Sequence, residues 1–360
     1  MHILDGIIEK KNRFVKIVKE ITTGEYKTYI YGDGQVGNRI RHQLEYYGMK
    51  YDGIVVNQKY WDSNKDSICL ERLLDETQEK INLIIAFRGF EPKSLETYKN
   101  NINVVVDMDW WAGMDIIEGQ GDLTYKWVED NAESLQGVWE DLQDELSRKT
   151  LLAYLNQKIS ADYKYLEEVR QSFQYFDENI NKMSDHEVFV DCGAYDGDSA
   201  VDFIQALHRR GYDVYDEIIS FEPDPENYEK LKARKLKNHT CIQKGVGSER
   251  KTISLSQGGT NSRCSENGEL CVEVDSIDHS INGRRVTMIK MDIEGAELEA
   301  LYGAKDTITK FRPLLSICMY HKREDLLTIP QYIKSIVPEY RLFLRAYERT
   351  TTELVLYAVV

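Results

Sequence analysis

The chain contains no run of about eighteen apolar residues, so no segment reads as a transmembrane helix. Its opening, Met1-His2-Ile3-Leu4-Asp5, is too polar to begin a signal peptide. The six cysteines (Cys69, Cys192, Cys241, Cys264, Cys271 and Cys318) are scattered without a C-x-x-C pair. The closest two, Cys264 and Cys271, have no histidine at zinc-ligand spacing. Reduced thiols in a cytoplasmic protein are expected, and no metal. Positive charge is also short. The 46 basic against 61 acidic residues give a net charge of −15, which argues against a non-specific nucleic-acid surface. No N-P-P-Y-like tetrapeptide suggests a nucleic-acid methylase either. The 360 residues suffice for two domains, each with its own core.

What is present concentrates in the C-terminal half. Val188-Phe189-Val190-Asp191-Cys192-Gly193-Ala194-Tyr195-Asp196-Gly197 reads as an apolar strand running into a glycine loop and a helix. Ile218-Ile219-Ser220-Phe221-Glu222-Pro223 then reads as a second strand that stops on a carboxylate, placed to take two ribose hydroxyls. The loop is wrong for a dinucleotide, because its glycines are spaced G-x-x-x-G and Asp191 would repel a pyrophosphate at the helix N-terminus. It suits a ligand that offers an ammonium group and no phosphate. S-adenosylmethionine (SAM) is such a ligand, and a methyltransferase is the expectation.

A second segment, Thr287-Met288-Ile289-Lys290-Met291-Asp292-Ile293-Glu294-Gly295-Ala296-Glu297, reads as a strand, a turn at Gly295 and the start of a helix. Together with the first loop, Phe221-Glu222-Pro223-Asp224-Pro225 and the stretch Ser316–Leu326, it resembles the FkbM family of SAM-dependent methyltransferases over residues 186–335. The ordered D-x-E-G-A-E run at 292–297 is the more specific part. The resemblance implies O-methylation of hydroxyls, often on sugars or polyketide-like products.

The N-terminal part reads differently. Residues 3–21 carry Ile3, Ile7, Phe14, Ile17, Val18 and Ile21 at helical spacing. A strand at 27–31 then leads into Gly32-Asp33-Gly34-Gln35-Val36-Gly37, a G-x-G-x-x-G loop in the context of a dinucleotide fingerprint. Strands at 53–56, 82–87 and 103–106 complete a small Rossmann-like parallel α/β domain over 1–120. Its second strand ends at Asn57, without the ribose carboxylate, and Asp33 puts negative charge near the phosphate position. A tight strand–helix turn by itself also explains Gly32, Gly34 and Gly37. The module resembles the nucleotide-binding-like modules of surface-polysaccharide enzymes, many of which no longer hold a cofactor.

Residues 121–183 have no proline and no glycine after Gly137. They read as a mostly helical bridge or cap, in which Tyr163, Tyr165, Phe173, Tyr175 and Phe176 form buried packing rather than a sugar platform. From 184 to 360 the pattern is a class I SAM-methyltransferase sheet of seven strands. Asp198 or Ser199 is expected to cap the helix after the first loop, and Thr252–Ser256 with Cys271–Val274 to form an inserted hairpin. The last two strands, 341–347 and 352–360, have so short a link that they must be antiparallel neighbours.

The site expectations follow from strand ends. Asp191, Gly193, Ala194, Tyr195 and Gly197 shape the methionine pocket of SAM, Glu222 with Pro223 holds the ribose, and Asp292 sits beside the sulfonium or the acceptor hydroxyl. His321 is the candidate base at neutral pH. Glu294, Glu297 and Tyr320 are candidate acceptor contacts; the two acids could equally serve only the positive end of the following helix. The favoured reading is O-methylation of a saccharide in capsule or surface-glycan assembly. Two alternatives stay open: a SAM enzyme acting on nitrogen or on a lipid or peptide-derived hydroxyl, and a protein holding NAD or a nucleotide-sugar at residues 27–57. Homo-oligomer formation through the N-terminal helix or the bridge is also open.

Overall fold

The computed structural model describes residues 2–63, 65–110, 112, 123–256, 263–264 and 270–360. The first sheet contains β1 (Thr28–Tyr31), β2 (Gly53–Val56), β3 (Ile68–Cys69), β4 (Ile81–Ile85) and β5 (Ile102–Val106), all parallel in the order β3-β2-β1-β4-β5. Every residue of β1 and β4 is buried, as central strands of a covered parallel sheet require. Successive side chains of β4 go to opposite cores: Ile84 packs with Phe14, Val18 and Ile40, and Leu83 and Ile85 with Tyr29, Tyr31 and Leu70. The two-residue β3 is too short to leave a pattern in the sequence.

The single helix expected over 3–21 is divided. Ile3–Gly6 forms a short 3-10 turn, and the helix proper is Arg13–Thr22, opened by Asn12, whose side chain accepts the Phe14 N–H at 2.8 Å. The cause lies 150 residues away from Gly6, at Asn156. Its side chain accepts the Ile8 and Glu9 N–H groups at 2.9 and 3.0 Å and donates to the Gly6 carbonyl at 2.9 Å. Ile3 and Ile7 therefore join the core of the C-terminal half, while Phe14, Val18 and Ile21 join that of the first sheet. One apolar stripe serves two cores.

The bridge is helical at Tyr125–Asp130, Ala132–Asp141, Glu145–Ser160 and Lys164–Glu167. Beyond 167 the helical expectation fails, because residues 168–183 form turns with left-handed backbone at Phe173 (φ 63°) and Tyr175 (φ 64°). Tyr175 and Phe176 are buried, Phe176 against Phe189 and Phe203, whereas Phe173 is exposed.

The second half holds a seven-stranded sheet. Its strands β6 (Val188–Cys192), β7 (Glu217–Phe221) and β8 (His239–Ile242) come first, followed by an inserted sheet of β9 (Gly245–Val246), β10 (Lys251–Ser256), β11 (Arg263–Cys264) and β12 (Leu270–Asp275). The expected β10–β12 hairpin pairing is antiparallel, Lys251 opposite Val274; most of the loop expected at 257–269 lies outside the described residues. Then come β13 (Met288–Met291), β14 (Leu314–Cys318), β15 (Arg341–Ala346) and β16 (Leu354–Val359), giving the order β15-β16-β14-β13-β6-β7-β8. β16 is antiparallel to both neighbours, as its short link to β15 dictates. The helix after the first loop starts at Asp198 with Gly197 (φ 90°) as its cap, so neither Asp198 nor Ser199 fills that position. No helix among the described residues is long and apolar enough to cross a membrane.

The two halves are locked through Asp109. Buried after β5, its Oδ2 accepts Gln157 Nε2 of the bridge at 2.8 Å and the Thr351 N–H at 2.7 Å. Arg349 reaches Asp107 at 2.5 Å beside it. These bonds fix the C-terminal ends of the parallel strands of both sheets around one cleft of about 1240 Å³.

Candidate active site

Parallel strands end in loops, and the loop residues of β6, β7, β13 and β14 meet on one wall of the cleft. At the end of β7, Glu222 is 6% exposed and lines this wall. Its Oε2 accepts the Tyr195 N–H at 2.8 Å and its Oε1 the Asp224 N–H at 2.9 Å. Each oxygen keeps a lone pair for an incoming hydroxyl. Burial raises the Glu222 carboxyl to about 7, against the backbone hydrogen bonds that favour its charge.

The loop after β6 is shaped by Gly193. At φ 77°, with a side chain there falling 1.9 Å from the Asp292 carbonyl, the position accepts glycine alone and brings the loop onto the end of β13. Gly193 and Tyr195 line the cleft with Pro223, Asp292, Glu294, Tyr320 and His321. Two of these lining residues, Tyr195 (φ 47°) and Glu294 (φ 56°), have left-handed backbone, a strain typical of sites that over-determine their loops.

Four expected residues sit behind the wall. Ala194 and Glu297 are fully buried, and Gly197 faces Leu231. Asp191 is also fully buried, and the ammonium it meets is the protein's own: Lys290 Nζ lies 3.2 Å from its Oδ1 and donates to the Gly193 carbonyl at 2.7 Å. The sheet register sets Lys290 of β13 opposite Asp191 of β6, so the pairing follows from the fold. Burial pushes the Asp191 carboxyl up to about 6 despite Lys290, while Asp191 and Asp292 hold Lys290 protonated against burial. Direct contact between Asp191 and a ligand ammonium is thus replaced by support of the loop from below.

Asp292 is the hub of the wall. Its Oδ2 accepts Tyr175 OH at 3.0 Å and its Oδ1 Tyr320 OH at 2.9 Å. Despite burial, Lys290 and His321 hold its carboxyl below the usual range. His321 Nδ1 lies 2.9 Å from Glu297 Oε1, and its Nε2 lies 3.5 Å from Asp292 and 3.7 Å from Glu294. Burial disfavours the charged ring, but Glu297, Asp292 and Glu294 outweigh it and raise His321 to about 9. That shift favours the protonated ring in the ligand-free site.

Asp292, Glu297 and His321 bring one ligand atom each within 4.8 Å of the others, the arrangement in which a cation could be held. Those groups already serve one another and the protein: Glu297 Oε1 accepts the Ile293 N–H at 2.8 Å, and Asp292 takes both tyrosines. The charged His321 balances the acids, so the cluster is held together by its own charges and hydrogen bonds.

Residues 191–348 match the family described as the methyltransferase FkbM domain. That stretch is similar to an FkbM methyltransferase domain. A crystal structure of the methyltransferase FkbM from Methylobacillus flagellatus KT is similar across 99% of this chain and 95% of that one, with a TM-score of 0.73 and 23% identity. The N-terminal sheet and bridge are therefore part of a shared fold. An rRNA methylase from Streptococcus thermophilus aligns with 49% of this chain and 87% of its own (TM-score 0.32, 13% identity). A Streptococcus mutans protein in complex with S-adenosylhomocysteine (SAH) aligns with 51% of this chain and 94% of its own (TM-score 0.33, 11% identity). No curated protein matches the sequence.

Lys290 and Glu353 line the cleft and escaped the sequence reading, while Tyr175 was read there only as buried packing. Lys290 could have been found, as a lone cation inside the apolar run Met288–Met291 facing a lone acid inside Val188–Cys192. Glu353 carries no local signal.

Proposed function

We infer that this protein uses SAM to methylate a hydroxyl group, and that the acceptor is a saccharide used in surface-glycan assembly. The observation that carries the SAM reading is Glu222, a buried strand-end carboxylate whose two oxygens are each half-used by a backbone N–H and open to the cleft. That geometry fits a ribose diol. Around it the wall is rich in carboxylates, Asp198, Asp202, Asp292 and Glu294 among them, which suits a ligand carrying a sulfonium and an ammonium. SAM supplies a methyl carbon already activated for displacement, so the protein's task is alignment and proton removal.

Asp292, oriented by Tyr175 and Tyr320, keeps a negative charge where positive charge is to be held. His321 takes the acceptor proton at Nε2. To do so it must first release to solvent in the cleft the proton that three carboxylates hold on it, and a cation seated beside Asp292 weakens that hold. Glu297 fixes the ring from its other nitrogen. Glu294 and Tyr320 border the space where the hydroxyl would stand.

Incubation with SAM and a panel of hydroxyl acceptors, read by mass spectrometry for the gain of one CH2 and for SAH, tests this. Methylated sugars support it. SAH formed only with amine acceptors would replace it with nitrogen methylation.

A further inference from the structure

Four strands of the large sheet carry the candidate donor and proton groups, and a fifth also meets the cleft. β14 runs parallel to β13 and β16 antiparallel to β14, so β16 begins at the rim where the parallel strands stop. The Leu354 carbonyl accepts the Met319 N–H at 2.9 Å, which sets Glu353 beside Tyr320. Across the rim the order is Glu222 after β7, Gly193 after β6, Asp292 after β13, Tyr320 with His321 after β14, and Glu353 just before β16. All of them line the cleft. Two strand spacings separate β13 from β16, which puts the strands of Asp292 and Glu353 about 10 Å apart. A donor whose ribose is held at Glu222 lies over β7, β6 and β13. The rim of β14 and β16 is left for the acceptor.

Glu353 is held in place from two directions. Arg349 pairs with Asp107 and the Thr351 N–H donates to Asp109 at 2.7 Å, so the link before β16 is fastened to the loop after β5. From the bridge turn, Gln174 donates its Nε2 to Glu353 Oε2 at 2.6 Å. The next residue of that turn, Tyr175, donates its hydroxyl to Asp292. One turn thus positions two acids of the same wall. Glu353 Oε1 accepts no hydrogen bond among the described residues. Burial first, and then Asp292, raise the Glu353 carboxyl to about 7, against Gln174 and Arg88. An acceptor atom in a half-buried site that the protein leaves without a donor calls for one from a ligand.

We propose that Glu353 is an acceptor-binding residue, whose open Oε1 receives a second hydroxyl of the acceptor while the hydroxyl to be methylated stands at Asp292 and His321. This rests on the methyltransferase reading for the methylated hydroxyl, and on the bridge turn and the β15–β16 link for the second. The acceptor is then a polyol. A monohydric alcohol of the same size leaves Glu353 unfilled, and a site built to bond a hydroxyl rejects a ligand that lacks it. The N-terminal half takes part by holding the link through Asp107 and Asp109.

The test is steady-state methyl transfer by the full chain at saturating SAM, read as SAH by mass spectrometry. The acceptors are methyl α-D-mannopyranoside, myo-inositol and the monohydric cyclohexanol. The proteins are the wild type, Glu353→Ala and Glu353→Gln, each also titrated with SAH by calorimetry. The wild type is expected to use the polyols well above cyclohexanol. In Glu353→Ala the KM for a polyol should rise about tenfold or more, with SAH affinity unchanged. Glu353→Gln, whose amide oxygen still accepts, should show a smaller rise. Equal use of cyclohexanol, no turnover of either polyol by a protein that binds SAH, or a KM that Glu353→Ala leaves intact overturns the proposal. A fall in kcat at unchanged KM overturns it in favour of proton removal by Glu353, and loss of SAH binding in the variants in favour of a structural role. Absence of SAH binding in the folded wild type removes the methyltransferase reading, and the proposal with it.

Discussion

Replacing Glu297 by glutamine should change how the protein's stability depends on pH, and the size of the change follows from His321. The folded ring titrates near 9 because Glu297 at 2.9 Å, with Asp292 and Glu294, overcomes the cost of burying it. In the unfolded chain it returns to about 6.5. A raised folded pKa means that the stabilisation is complete below about pH 6.5 and is lost as pH rises through 9. A gap of about two and a half units is worth about 3 kcal/mol. In Glu297→Gln the amide oxygen of the new side chain would still accept the Ile293 N–H, so the backbone contact survives while the nearest charge goes. Asp325, raised to about 7 by burial and by Glu297, shifts down in the same variant. Both changes flatten the profile. Urea unfolding of the ligand-free protein between about pH 6.5 and 9 should therefore show a loss in the wild type that shrinks by about 2 to 3 kcal/mol in Glu297→Gln. Proton NMR of the His321 ring should show its titration moving from near 9 toward or below its ordinary value. A wild-type ring that titrates below about 7, or equal slopes in both proteins, would refute the idea that the carboxylates hold the proton.

Further outcomes are equally concrete. Glu222, at about 7 in the ligand-free site, must be ionised to take two hydroxyl donors, so SAH affinity should fall below pH 7 and be about thirtyfold weaker at about pH 5.5. Calorimetry across pH checks this, and Glu222→Gln should give a weak, pH-independent response. Gly193→Ala forces a side chain to within 1.9 Å of the Asp292 carbonyl and should abolish SAH binding, with a drop in thermal midpoint by calorimetric scan. Asp144 accepts from the buried Arg345 at 2.6 Å and caps the helix Glu145–Ser160. Being partly exposed, it should cost about 2 kcal/mol in urea unfolding when replaced by Asn, below the range for a fully buried pair.

The methyltransferase sheet was legible because each parallel strand is an apolar run that stops on a polar residue, Glu222 and Asp292 above all. The antiparallel end was legible from the length of one link. The division of the N-terminal stripe was not, because Ile3 and Ile7 obey the same spacing as Phe14 and Val18, and only Asn156 decides which core they enter. Tyr175 reaches Asp292 through a left-handed turn that no local residue announces. Asp191 was misjudged for a simpler reason. Its partner Lys290 lies in a distant strand, and register, not motif, brings them together. The facing of the two sheet rims depends on Asp109 bonding to Thr351, 242 residues away, a contact no pattern encodes.

The most direct measurement is calorimetric titration of the intact protein with SAH, alongside Glu222→Ala. Saturable one-site binding in the wild type, lost in a variant that stays folded by circular dichroism, is the result the Glu222 site requires. Absence of binding in the folded wild type, or binding that Glu222→Ala leaves unchanged, would contradict it.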